Sequence, residues 1–74
     1  MINGTTQEFL GLFNLPGEGF IAQLRDSTGT LLYDKQGLQF LILQRKELGL
    51  EARAAEEALS RINTLSERLA VQPE

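Results

Sequence analysis

The chain has 74 residues, contains no His, Cys or Trp, and carries seven basic and ten acidic side chains for a formal net charge of −3. This length allows one small domain, and the missing residue types exclude disulfides, zinc ribbons, thiol chemistry and the usual neutral-pH proton shuttle. Small domains need an additional source of stability, and a partner chain is the source that this composition leaves open. Composition therefore predicts a homodimer.

The sequence also limits where the chain works and what it contacts. No run approaches the ~20 apolar residues of a transmembrane helix, and the N-terminus lacks the basic start and apolar stretch of a signal peptide. We therefore expect a cytoplasmic protein with no membrane partner. The negative net charge argues against a nucleic-acid partner, because nucleic-acid binding needs a basic surface that neutralises phosphates.

The first element that the sequence predicts is a short helix over residues 5–14. Thr5-Thr6-Gln7-Glu8 matches the capping box, in which a hydroxyl at the N-cap is followed three residues later by Glu. The apolar run Phe9-Leu10-Gly11-Leu12-Phe13 follows it. The helix is predicted to end before Pro16-Gly17-Glu18-Gly19, because Pro16 forces an extended residue before it and two glycines come after.

Residues 19–45 predict an antiparallel β-meander of two or three strands. Apolar residues recur at every second position from Phe20, which is typical of a strand with one buried face. Asp26-Ser27-Thr28-Gly29 matches a hairpin turn that is closed by a left-handed Gly, and a short strand follows it. Asp34-Lys35-Gln36-Gly37 repeats the same pattern eight residues later and predicts a second turn of this kind.

The segment over residues 38–45 fits two structures. As a third strand, it would place Leu38, Phe40 and Ile42 on one face of the sheet. As a helix, it would extend the C-terminal helix, since apolar residues fall at seven-residue spacing from Leu41 to Leu69. The strand is favoured because the preceding turn pattern invites one and Gly49 separates this segment from the C-terminal helix.

A long amphipathic helix is predicted over residues 50–71. Its apolar positions recur at helical spacing and fill one arc, while the charged residues fill the other. Pro73 forbids its continuation and leaves residues 72–74 as a tail. The predicted fold is therefore a single α+β domain over residues 1–74, in which this helix packs on the β-meander.

The sequence predicts no catalytic, cofactor-binding or metal site, and we do not expect an enzyme. Asp26 and Asp34 are the nearest approach to a carboxylate pair, but each begins an Asp-x-x-Gly pattern, where Asp accepts backbone N–H hydrogen bonds. The serines and threonines have no His to act as a base, and no Lys is placed beside a Ser.

The feature that points to function is an excess of apolar faces, since one helix covers only one face of a sheet. The uncovered face needs either the N-terminal segment or a second chain. The sequence therefore predicts a non-enzymatic protein–protein interaction module, such as an adaptor, assembly factor or regulatory subunit, that forms a homodimer and contacts another protein. There are two candidate interfaces: the second sheet face with Ile21, Leu41 and Leu43, and the C-terminal helix stripe with Ile62, Leu65 and Leu69.

An alternative function is a small nucleic-acid-associated regulator, such as an antitoxin or a phage-type factor. It would use four basic residues, Arg25, Arg45, Lys46 and Arg53. The acidic Glu47 and Glu51 lie close to three of them in sequence and would reduce their combined charge.

Overall fold

Three strands are followed by two helices in this chain, whose residues 6–70 are described by a computed structural model. The elements are β1 (Glu8–Leu15), β2 (Gly19–Asp26), β3 (Gly29–Tyr33), α1 (Lys35–Glu47) and α2 (Arg53–Ala70). The strands form an antiparallel sheet in the order β1-β2-β3, and the core joins both helices to one face of β2. The predicted α+β class is confirmed.

The predicted N-terminal helix over residues 5–14 is wrong, because this segment forms strand β1. A register shift between Phe9 and Gly11 marks a β-bulge at Leu10. The extra residue turns both Phe9 and Leu12 toward the helix-covered face, where they pack against the core. The bulge thus gives a strand the i,i+3 apolar spacing of a helix. Thr5, the predicted N-cap, lies outside the described residues.

The hairpin between β2 and β3 lies where the sequence predicts it. Asp26 pairs with Gly29, so the loop is only Ser27 and Thr28. The Asp26 carboxylate oxygen Oδ1 accepts hydrogen bonds from the backbone N–H of Thr28 at 2.8 Å and from its hydroxyl at 2.6 Å. These bonds stabilise the charged carboxylate and lower the pKa of Asp26 below its ordinary value.

We expect Gly29→Val to lower the free energy of unfolding by about 1–2 kcal/mol. Gly29 has a φ of 133°, which a β-branched residue resists, although open space surrounds the position. Urea denaturation at one fixed protein concentration measures the effect. Gly11→Ala is the matched control, since Gly11 also has open space but no positive φ. Equal midpoints for Gly29→Val and the wild type would contradict the prediction.

The preferred third strand at residues 38–45 is also wrong, because this segment lies within helix α1. Asp34 is the N-cap of α1, and its Oδ1 accepts the backbone N–H of Gly37 at 2.7 Å. Gly37 has no positive φ, so the second predicted turn is instead a helix start. An Asp side chain that accepts the backbone N–H three residues later occurs both in a turn and at the N-cap of a helix. The sequence pattern therefore does not distinguish the two structures.

The helical alternative for residues 38–45 was closer, but α1 does not continue into α2. The chain leaves α1 through Gly49, whose φ is 77°, and the N–H of Leu50 donates to the carbonyl of Arg45 at 2.8 Å. Helix α2 then begins at Arg53. The seven-residue apolar spacing across the two helices therefore arises from two separate buried faces.

The predicted C-terminal helix is confirmed as α2, which packs on the sheet. Its buried positions Ala55, Ala58 and Ile62 meet Ala22 and Leu24 of β2. Small side chains on both elements allow a close approach, but they bury little apolar area. Val71 and the predicted tail at residues 72–74 lie outside the described residues.

The helices lie side by side, each over two strands, and they share β2. Helix α2 contacts β1 and β2, whereas α1 contacts β2 and β3. The order α2-α1 in the helix layer thus follows the order β1-β2-β3 in the sheet. Within residues 6–70, neither helix is long and apolar enough to span a membrane.

Candidate interaction surfaces

The face of the sheet away from the helices carries an apolar patch. Ala22 and Leu24 face the helices, so strand alternation places Ile21 on the opposite face. Phe13 is the cross-strand partner of Ile21, and Leu32 is the partner of Gln23 on the same face. We call Phe13, Leu15, Ile21 and Leu32 the open sheet face.

On the open sheet face, the side chains at the rim are exposed and the side chain at the centre is buried. Phe13, Leu15 and Leu32 are exposed, whereas Ile21 between them is buried. An ion pair of 2.6 Å between Arg25 and Glu8 occupies the other end of the same face. Among the described residues, the helices lie on the other side, so an apolar surface with a charged end remains open to a partner.

A second apolar region lies on β3 and α1. Among the described residues, five large apolar side chains there are 51–68% exposed, more than the exposed apolar residues of β1. We call this region the β3/α1 side. Its members are Leu31, Leu32, Phe40, Leu43 and Leu48, the last being the C-cap of α1.

The residues predicted for a second-face interface do not form one surface. Ile21 lies on the open sheet face as expected. Leu41 is instead buried under α1 in the core, and Leu43 is exposed on α1. The reason is the change of residues 38–45 from strand to helix, because a helix does not distribute alternate residues between two faces.

The residues of the stripe predicted on the C-terminal helix also lie in different environments. Ile62 is part of the core beneath α2, and Leu65 is half-buried. The side chain of Leu69 lies outside the described residues. The sheet covers the apolar stripe of α2 at Ile62, so that residue is not accessible to a partner.

The four basic residues of the nucleic-acid alternative are separated by their contacts. Arg25 is paired with Glu8, and the Lys46 ammonium lies 2.9 Å from Glu56. Arg45 is buried, and its Nε donates to the carbonyl oxygen of Glu51 at 2.6 Å. Arg53 is exposed at the start of α2. These contacts engage Arg25, Arg45 and Lys46 within the fold.

The carboxylates considered as a functional pair have structural partners. Asp26 holds the β2–β3 hairpin and Asp34 caps α1, so they lie at opposite ends of β3. Among residues 6–70, no cluster of three or more acidic, His or Cys side chains could hold a metal ion. Both aspartates therefore have structural roles in the described part of the chain.

Comparisons of the chain with protein-family models, with curated proteins and with solved structures find no match.

Of the residues on the β3/α1 side, the sequence predicted only Leu43 as an interface residue, and it did not predict the region itself. Phe40 and Leu43 are three residues apart, which is the spacing of neighbours on one helix surface. With Asp34 as an N-cap, this spacing would have predicted an exposed apolar ridge on α1. The strand interpretation instead assigned the two residues to opposite faces of a sheet.

Proposed function

We propose that this chain is a non-enzymatic protein–protein interaction module, such as an adaptor, assembly factor or regulatory subunit. In this proposal it acts in the cytoplasm as a homodimer and binds a second protein. The observation that carries the proposal is the open sheet face, an apolar surface that none of the described elements covers.

The small core supports association. Leu24 and Leu38 are the largest side chains that are fully buried, and alanines make up much of the remaining core. Burying a large apolar side chain contributes about 1.5–3 kcal/mol, whereas alanine contributes less. A second chain that covers exposed Leu and Phe side chains would therefore add a substantial share of the stability.

The charges favour a protein partner over a nucleic acid. The net charge is −3, and contacts within the fold engage three of the four candidate basic residues. A nucleic-acid surface needs several cations that are free to meet phosphates. An apolar sheet face with a charged end is typical of a protein-binding surface.

We expect the wild-type chain to be a dimer at ~10 μM and to remain one when the salt concentration rises from 0.1 to 1 M. At 1 M salt the Debye length is about 3 Å, so interactions between exposed charges that lie farther apart are largely screened, whereas apolar contacts are not weakened. Sedimentation velocity over a concentration series measures this. A folded monomer at ~100 μM would contradict the homodimer, and dissociation by salt would contradict its apolar character.

The binding of a second protein to the open sheet face is tested with a variant of that face. Phe13→Glu places a charge in the exposed rim of that face, while Thr64→Glu places the same charge on an exposed position of α2. A partner of the open sheet face is retained by the wild type and by Thr64→Glu but not by Phe13→Glu. Equal retention by all three baits assigns the bound protein to another surface.

A further inference from the structure

We infer that a second copy of this chain pairs with the outer edge of β3, antiparallel to it, so that two sheets join into one of six strands. The two α1 helices then contact each other above the junction. This inference rests on the proposed homodimer and identifies the surface that forms it.

The two edges of the sheet differ in how they are protected. Strand β1 carries Glu8 and a β-bulge at Leu10, and both features discourage pairing with another strand. Strand β3 has the sequence Gly-Thr-Leu-Leu-Tyr, without a charge, a proline or a register shift. In an antiparallel ladder, alternate residues of an edge strand direct their N–H and C=O groups outward. Among the described residues, no strand pairs with this edge, and these outward groups are matched by the N–H and C=O groups of another β-strand.

The helix layer is also apolar on the side that lies over β3. On α1, Ile42 lies in the groove against α2, and Lys46 pairs with Glu56 of α2. Phe40 lies about 100° around the helix from buried Leu41, in the direction opposite to Ile42. Phe40 therefore projects away from α2, on the β3 side of the helix layer, and it is 66% exposed.

The rise per residue places Leu31 on β3 and Phe40 on α1 at about the same distance from the chain reversal at Asp34. The chain reverses at Asp34, and Phe40 lies about 8 Å along α1 from its first residue. Leu31 lies about 7 Å back along β3 from Tyr33. Leu31 is the cross-strand partner of Leu24, so it points toward the helix layer, and it is half exposed. Leu31 and Phe40 thus form one apolar strip across both layers.

This strip is self-complementary, which identifies the strand as belonging to a second copy. Leu31 is the midpoint of β3 and Phe40 is next to the midpoint of α1. A two-fold axis at these midpoints places Leu31 beside Leu31 of the second copy and Phe40 beside its own equivalent. An isolated strand from another protein would pair with β3 but would leave Phe40 uncovered.

The charges on this side of the molecule agree with this arrangement. Strand β3 is uncharged, so antiparallel pairing brings no like charges together. Glu47 at the end of α1 lies far from its equivalent, because the two helices run in opposite directions.

The test is a charge exchange at residue 31. Leu31→Lys and Leu31→Glu each place like charges beside one another across the two-fold axis, so each variant alone is expected to raise the dissociation constant at least tenfold. An equimolar mixture of the two is expected to form a heterodimer close to wild-type affinity, since the charges are then opposite. Sedimentation velocity gives the masses, and circular dichroism establishes that each variant is folded.

Leu10→Lys is the matched control, because Leu10 is an exposed leucine on the opposite edge strand. It is expected to dimerise like the wild type. If both residue 31 variants dimerise as tightly as the wild type, the inference is overturned but the homodimer is not. Monomeric variants that the mixture does not restore would overturn the two-fold pairing at Leu31. A wild-type chain that is monomeric at ~100 μM would instead contradict the proposed homodimer.

Amide hydrogen exchange gives a second readout that does not depend on a variant. Residues 30–33 of the wild type are expected to gain protection between 1 and 100 μM protein, because outward amides of β3 become hydrogen-bonded in the dimer. The amides of β1 are expected to show no such dependence. Concentration-dependent protection confined to β1 would assign the contact to the other edge and overturn the inference.

Discussion

Leu24→Ala is expected to lower the free energy of unfolding by about 3 kcal/mol, because it removes most of a buried side chain and leaves a cavity. Leu24 is 1% exposed at the centre of β2. Four of the seven other buried members of its core cluster are alanines, whose side chains cannot move to fill the space. Urea denaturation at one fixed protein concentration measures the change, since dimerisation makes apparent stability concentration-dependent.

Leu43→Ala is the control for this experiment. It makes the same chemical change on the exposed surface of α1 and is expected to alter stability by less than about 0.5 kcal/mol at a concentration where the chain is monomeric. A loss below ~1 kcal/mol for Leu24→Ala would show that Leu24 does not lie at the centre of the core.

Arg45→Ala is expected to lower the free energy of unfolding by about 2 kcal/mol, which is the typical loss when a buried hydrogen bond from a charged group is removed. Arg45 is 6% exposed, and its Nε holds the carbonyl oxygen of Glu51 in the connection between the helices. Its positive charge also contributes to the lowered pKa of Asp26, after the larger effect of the Thr28 hydrogen bonds. The substitution leaves the Glu51 carbonyl without this donor.

Lys46→Ala is the matched control, because Lys46 is the neighbouring cation but its ion pair with Glu56 is exposed. Exposed ion pairs contribute up to about 1 kcal/mol, so the control is expected to change stability little. Arg45→Met retains the apolar stem and separates the packing of the side chain from its hydrogen bond. Equal stability losses for Arg45→Ala and Lys46→Ala would contradict the structural role of Arg45.

Elements whose pattern depends on neighbouring residues were predictable. The β2–β3 hairpin follows from Asp26 and Gly29, because a short-range side-chain hydrogen bond and a positive φ determine it. Helix α2 follows from its apolar arc and charged arc, which a long helix displays over several turns. The candidate face with Ile21 was also predictable, since strand alternation in β2 determines which residues face away from the core.

The remaining elements were misassigned because one local pattern fits two structures. Phe9 and Leu12 have helical spacing, but the bulge at Leu10 gives a strand the same spacing once it pairs with β2. Asp34 and Gly37 fit a turn, but they also fit a helix N-cap. The residues that decide between these alternatives are distant in sequence, so only the completed sheet and helix layer distinguish them.

The sequence by itself determined the α+β class, the central hairpin, the amphipathic C-terminal helix and the excess of apolar surface. Short-range hydrogen bonds, backbone preferences and hydrophobic periodicity suffice for these features. The tertiary structure decided that residues 8–15 pair with β2, that residues 35–47 form a helix, and which apolar residues stay exposed. Long-range pairing and packing select among locally equivalent conformations, and therefore they alone decide that Leu31 and Phe40 stay exposed.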